Sequence, residues 1–248
     1  KMRLGQHFLI DRSIVDSIVS HADLGLEDWV LEIGPGEGIL TRELAARAGR
    51  VYAVEIDPDL AASLCNTAPN VMVIHADALT VRLPQYNKIV SNLPYNISSK
   101  ITYRLLSRPF DLAVLMFQKE FAQRLKAKPA SKNYGRLGMV AGFFSHIEIL
   151  QNVSRKAFRP VPDVDSAIVR LRPRTERPQV DPRAFMRLAD ILFRNRRKKV
   201  KKGLAAYGVD KMTLAELDQS LINMRPEELT PDQVADLILA IEKKGDWI

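Results

Sequence analysis

Glu32-Ile33-Gly34-Pro35-Gly36-Glu37-Gly38 is the stretch that decides the fold of this chain. It closes the short apolar run Trp29–Ile33 and leads into Ile39–Ala48, whose apolar residues recur at helical spacing. Strand, glycine turn and helix in that order form the opening unit of an α/β sheet. Glycines let the backbone turn tightly and come close to a ligand, since no Cβ stands in the way. A G-x-G on its own fits a purely structural turn as well, so the surroundings must arbitrate.

Outward from that turn the pattern repeats. Val51–Glu55, Val71–Ile74 and Lys88–Ser91 are brief and rich in Val and Ile, and Pro58–Asn66 between the first two has helical spacing. This alternation predicts βα units and a parallel sheet. Ile101–Ser107 reads as a helix, Leu112–Phe117 as a buried strand and Lys119–Lys126 as a helix. Ile147–Val153 and Ala167–Leu171 form an antiparallel closing pair in this reading, because Pro160 and Pro162 break the chain between them. Pro173, Arg174 and Pro178 mark a linker, and beyond it the pattern is purely helical. The expected layout is an α/β domain at residues 1–174 and a small all-α domain at 175–248.

The composition is consistent with that layout. The 248 residues are 46% hydrophobic and 27% charged, enough for a full core under a soluble surface. No apolar run reaches the roughly 18 residues needed to span a bilayer, and residues 1–11 lack the apolar core of a signal peptide. The chain opens at Lys1 and not at Met, which leaves room for a native tail upstream. A lone cysteine, Cys65, excludes an internal disulfide and most zinc frameworks, and fits a reducing cytoplasm. No metal is expected. The net charge of +8 is unevenly spread. Residues 1–99 hold 8 Lys/Arg against 12 Asp/Glu, residues 100–174 hold 15 against 5, and the remainder 14 against 12. A basic middle beside an acidic first half points to a polyanion partner, although solvated lysines alone would give the same totals.

Around the glycine turn the residues favour a nucleoside without a pyrophosphate. A dinucleotide fingerprint wants a third glycine where Ile39 stands, and no P-loop lysine is present. Glu55 ends its strand in Val54-Glu55-Ile56-Asp57, where a carboxylate can accept both hydroxyls of a ribose. Asp77, in His75-Ala76-Asp77-Ala78-Leu79, can accept from an adenine amine or simply cap a turn. S-adenosylmethionine, which has a ribose and no pyrophosphate, fits this set. After the next strand comes Asn92-Leu93-Pro94-Tyr95. The amino nitrogen of adenine is a poor nucleophile, because its lone pair is drawn into the ring. Hydrogen-bond acceptance by the Asn92 side chain and the Pro94 carbonyl would free that pair, with Tyr95 stacked on an extruded base. Asn-Leu-Pro-Tyr is equally readable as a turn.

The motifs Gly5–Leu9, Glu32–Thr41, Asn92–Ser99, Gln118–Leu125, Tyr134–Leu137, Phe158–Ala167 and Phe193–Leu204 resemble, in that order, those of the ribosomal RNA adenine dimethyltransferase family. The likeness spans about the first 204 residues; from Ala205 onward it is loose, and Ala76 stands where many relatives carry glycine. The short C-terminal part and the Gln6-His7-Phe8 wording lean toward an archaeal member. The resemblance implies a Rossmann-like S-adenosylmethionine-dependent methyltransferase sheet with helices on both faces. It also implies that His7, Leu9, Gly34, Gly36, Glu55, Ile56, Asp77, Ala78 and Asn92 contact the cofactor. Asn92, Leu93, Pro94 and Tyr95 would receive the target base, and Phe158, on a proline-stiffened loop, would cover its second face, although a core phenylalanine would look the same in sequence.

Arg194, Arg196, Arg197, Lys198, Lys199, Lys201 and Lys202 put seven cations into nine positions. Leu192, Phe193, Val200 and Leu204 fall near one face of a continuous helix, which leaves the basic side wet. Arg124, Lys126 and Lys128 open a second basic region, and together the two would hold structured RNA by its phosphates. A nuclear-localisation signal or a solvated face is the plainer reading. By resemblance the substrate is two adjacent adenines near the 3′ end of small-subunit rRNA, met as RNA or in a pre-ribosomal small subunit, by a cytoplasmic monomer. The alternatives are a large-subunit rRNA adenine methylase, or an assembly or transcription factor that binds RNA without catalysis.

Overall fold

In the computed structural model, which describes residues 7–243, the elements run β1 (Phe8–Leu9), α1 (Arg12–Ala22), β2 (Trp29–Ile33), α2 (Ile39–Ala45), β3 (Arg50–Glu55), α3 (Pro58–Leu64), β4 (Val71–His75), β5 (Lys88–Asn92), α4 (Ser98–Leu106), β6 (Leu112–Gln118) and α5 (Lys119–Leu125). They continue as α6 (Arg136–Phe144), β7 (Ser145–Val153), β8 (Phe158–Arg159), β9 (Ser166–Pro173), α7 (Pro182–Arg194), α8 (Val200–Tyr207), α9 (Lys211–Glu216), α10 (Gln219–Ile222) and α11 (Pro231–Glu242). Seven strands form one sheet in the order β4-β3-β2-β5-β6-β9-β7. The first five are mutually parallel, and β9 runs antiparallel to β6 with Ala113 opposite Leu171 and Gln118 opposite Ser166. The Rossmann-like α/β class read from the sequence is the observed one.

The central parallel strands are buried on both faces, which is why β2, β3 and β6 are mostly apolar. Val30, Val51, Val90, Val114 and Ile168 turn to one face and pack with Val15, Ile18 and Val19 of α1 and Leu40 and Leu44 of α2. The chain leaves β2 toward β3 and β4, then returns to β5 on β2's other side, so the order reverses between β2 and β5. In open α/β sheets that reversal opens a crevice at the carboxyl ends of the strands. Beside it lies a two-stranded ribbon in which β1 pairs with β8, Phe8 opposite Arg159 and Leu9 opposite Phe158.

The chain divides into two compact units, and the division is less simple than a cut at residue 174. The sheet unit runs to Ala122 and resumes at Ile147–Pro173; the second unit takes Gln123–His146 together with everything from Arg174. The missed piece is α6, whose residues Leu137, Met139, Val140, Ala141, Phe143 and Phe144 are buried almost all round. A helix apolar on every side has no amphipathic period to betray it. Within this unit the Phe143 ring stacks on Phe185 of α7 at 3.8 Å, and the Tyr134 hydroxyl donates to the Leu229 carbonyl.

The basic segment corrects a second expectation. It is not one helix, because α7 stops at Arg194 and α8 begins at Val200. Asn195 caps the first helix, with its side-chain amide donating to the Ile191 carbonyl, and Lys199 takes extended dihedrals ahead of the second. A run of cations cannot lie along one helix without mutual repulsion, and the turn spreads them.

Candidate active site

A cleft of about 330 Å³ lies at the carboxyl ends of the parallel strands. It gathers the expected residues His7, Leu9, Gly34, Gly36, Glu55, Ile56, Asp77, Ala78, Asn92, Leu93, Pro94 and Tyr95 from separate parts of the sheet unit. Of the motif containing His7, Gly5 and Gln6 lie outside the described residues.

Gly34 and Gly36 have φ of +67° and +57°, a region closed to most side chains. What a Cβ would strike at either position is visible only in the fold. At Gly34 it would sit 2.7 Å from Cγ of Pro94, and at Gly36 3.0 Å from the Phe8 ring. The glycines therefore admit the chain's own Pro94 loop and N-terminal strand close to the turn.

Glu55 is buried and already engaged. Its Oε1 accepts from the backbone N–H groups of Ile56 (2.9 Å) and Asp57 (3.0 Å), and its Oε2 from Gly36 N–H at 3.2 Å. A carboxylate has about four acceptor positions, so the backbone bonds fix its orientation while Oε2 still faces the cleft. Asp77 takes the turn role the sequence allowed, at the edge of the cleft. Its Oδ1 accepts from Leu79 N–H at 2.8 Å, which shapes the turn, and Oδ2 makes no hydrogen bond to another described residue.

Glu32 carries no role that the sequence could assign, and its surroundings set it apart. It is 1% exposed, lines the cleft, and its Oε2 has no hydrogen-bond partner. Burial pushes its pKa up to about 8, and the nearby Glu55 charge adds to the rise. The signal in sequence was a carboxylate inside an apolar strand. An unsatisfied buried oxygen beside a bonded carboxylate calls for a cationic ligand. The residues present fit S-adenosylmethionine: its ammonium and sulfonium would sit by Glu32, and its ribose and adenine by Glu55 and Asp77. Between pH 4.5 and about 8 the folded protein keeps the Glu32 proton that the unfolded chain has released. Ligand-free stability must then fall as pH rises, by ~1.4 kcal/mol per pH unit from this group. Urea melts of wild type and Glu32→Gln at about pH 5, 6, 7 and 8 should diverge steadily, with the variant relatively more stable at high pH. Parallel curves would contradict a buried, protonated Glu32.

The acceptor geometry around the target amine is narrower than expected. The Asn92 carboxamide faces the cleft at the end of β5 with no hydrogen bond to another described residue. The Pro94 carbonyl is not free: it accepts from Ile97 N–H at 3.2 Å and from the Ser98 hydroxyl at 3.3 Å. A target amine would have to share it. Tyr95 is held by its surroundings, with its hydroxyl 2.7 Å from Ser166 Oγ and its ring 5.9 Å from His7. His7 Nδ1 in turn meets the Pro160 carbonyl at 2.8 Å.

Phe158 is where the structure departs from the expected slot. It is 1% exposed, belongs to the core between α1 and the sheet, and does not line the cleft. Its ring stands edge-on to Tyr95, 6.5 Å away at 65°. Two faces that sandwich a base must be near parallel, so the slot is not preformed and the core-phenylalanine reading describes Phe158 as it stands.

Both basic segments lie in the second unit, where Glu227 ties them together. Its carbonyl accepts from Ala130 N–H, and its carboxylate pairs with Arg196. Arg194 pairs with Asp190, which also takes Arg136. Arg197, Lys198, Lys199 and Lys202 are exposed, as are Arg124, Lys126 and Lys128, while Lys201 is half-buried.

A reversed parallel sheet with an acid-lined cleft at its switch point, with the solved structures it superposes on, makes the class a Rossmann-like methyltransferase. The chain belongs to the ribosomal RNA adenine dimethylase family, whose model matches residues 1–243. Its relatives include a probable ribosomal RNA small subunit methyltransferase A of Methanopyrus kandleri, 43% identical over 98% of this chain and 92% of that protein. The protein of the same name from Thermococcus gammatolerans is 41% identical over 98% and 89%. Among solved structures, a dimethyladenosine transferase from Plasmodium falciparum superposes with a TM-score of 0.84 at 30% identity, covering 97% of this chain and 99% of that one. The 23S rRNA methyltransferase ErmE superposes with a TM-score of 0.68 at 33% identity, covering 95% and 99%.

Proposed function

We propose that this enzyme transfers methyl groups from S-adenosylmethionine to the exocyclic amines of two adjacent adenosines near the 3′ end of small-subunit rRNA. One observation carries the reading: a single cleft brings the acidic residues Glu32, Glu55 and Asp77 together with the free carboxamide of Asn92. Glu55 would hold the ribose, Asp77 the cofactor adenine, and Glu32 the cationic end. Bound there, the cofactor supplies an electrophilic methyl. Asn92 accepts from the target amine and aims its lone pair, and Tyr95 supports the base. No side chain needs to act as a general base, because positioning and hydrogen-bond acceptance supply the effect. The enzyme acts in the cytoplasm as a monomer, on the pre-ribosomal small subunit.

Labelled S-adenosylmethionine and under-methylated small subunits test this directly, with primer extension to map the product. Label at two neighbouring adenosines of the small subunit is the expected result. The likeness to ErmE supports a second reading, in which the label lands on large-subunit RNA. Cofactor binding with no transfer to either subunit would leave only a non-catalytic role.

The second unit supplies the grip. Replacing Arg197, Lys198, Lys199 and Lys202 together with alanine should weaken subunit binding and flatten its salt dependence. Every phosphate left without its cation lowers the slope of log K against log salt by about 0.7–0.9. Replacing Arg194 and Arg196, already paired to carboxylates, should change it less. An unchanged slope in the quadruple variant would show that these cations face water.

A further inference from the structure

We propose that Ser166 is a positioning residue for methyl transfer, acting through Tyr95. Ser166 is fully buried at the first position of β9, opposite Gln118 of β6, and it lies outside the cleft. Its hydroxyl is 2.7 Å from that of Tyr95, which stands in the turn after Pro94. A tyrosine ring on a short turn has two free torsions, and nothing in the loop backbone fixes its plane. The hydroxyl at its far end does so, because a hydrogen bond to a strand residue pins the ring at both ends. The anchor belongs to the sheet: β9 pairs with β6 from Ser166 through Leu171, so the hydroxyl's position is set by the ladder.

The arrangement also assigns the hydroxyl a duty. Burial raises the Tyr95 pKa, so the group stays protonated, and its polar end is turned to Ser166. The target base therefore meets Tyr95 as a ring face, and the phenol neither gives nor takes the amine's proton. Phe158 stands edge-on to the same ring and His7 lies beside it, so the direction set by Ser166 decides how these three rings can open to admit a base.

This inference rests on the reading of Tyr95 as the support for the target adenine, and the experiment separates the two. Ser166→Ala, Tyr95→Phe, the double variant and Tyr95→Ala are compared by single-turnover methylation of small subunits, with cofactor affinity measured by calorimetry and folding by thermal melts. Each of the first two removes one side of the bond. Each should slow the methyl-transfer step by about two- to tenfold, the range of a single hydrogen bond, with cofactor affinity unchanged. Because the two act through one hydrogen bond, the double variant should be no slower than the slower single. A packing defect alone would not produce this pattern, since independent defects multiply. Full activity in Ser166→Ala, or multiplying losses in the double variant, overturns the proposal. Tyr95→Ala should lose far more activity; if it retains wild-type rates, the role of Tyr95 itself fails, and Ser166 has nothing to position.

Discussion

Asn92→Ala should lose methylation by at least about 100- to 1000-fold while melting close to the wild type. A preorganised polar group aimed at a reacting centre is worth roughly that much. Here the effect should sit at the upper end. The second expected acceptor, the Pro94 carbonyl, is already taken up by Ile97 and Ser98, so little remains to orient the amine once the carboxamide is gone. Stability should be nearly untouched, since Asn92 is half-exposed and its side chain makes no hydrogen bond within the described residues. Its backbone place beside Met116 in the β5–β6 ladder is independent of the side chain. Single-turnover label transfer and a thermal melt read the two halves separately. Wild-type turnover would remove Asn92 from the mechanism, and a collapsed melt would show that it holds the fold.

Gly34→Ala should damage fold and activity together. A non-glycine residue in the left-handed region costs about 1–2 kcal/mol, and here the new methyl would also stand 2.7 Å from Cγ of Pro94. One of the two must move. The loop moves more easily than β2 does, so the strain should displace Pro94 and with it Asn92 and Tyr95. A shift near 1 Å in a positioned group costs about 100-fold in rate. The expected result is a drop of about 2–4 kcal/mol in a urea melt and at least a 100-fold drop in methylation. Gly135→Ala is the control, since a Cβ there meets nothing within 4 Å. If Gly34→Ala turned over normally, the close approach of turn and loop would have no catalytic meaning.

The parts of the molecule legible in sequence were those with a local period or a local constraint. The parallel strands announce themselves as apolar runs, and the glycine turn is set by dihedrals that few other residues adopt. The place of Glu55, Asp77 and Asn92 at the cleft was legible because each lies at or just after a strand's end, where open α/β sheets form their crevice. What escaped depended on partners far along the chain. The burial of α6 is decided by α7 and α11, so its own residues carry no stripe. The helix expected over Phe193–Leu204 is broken by a turn between Arg194 and Val200, in which Arg196 pairs with Glu227, far along the chain. Phe158 shows the converse, since its motif gives a residue type and only the packing tells which way the ring points. Glu32 was in plain sight, but a carboxylate in a strand has no meaning until its burial is known.

The two-residue pairing of β1 with β8 bears on how the protein should be handled. Phe8 covers Gly36, Leu9 is part of the core, and His7 reaches the Pro160 carbonyl, so these few residues wall the cleft and brace the Phe158 segment at once. Trimming the chain to start at α1, a natural choice when shortening a protein for crystals, would strip both supports in one cut and leave an intact sheet with an unroofed chamber.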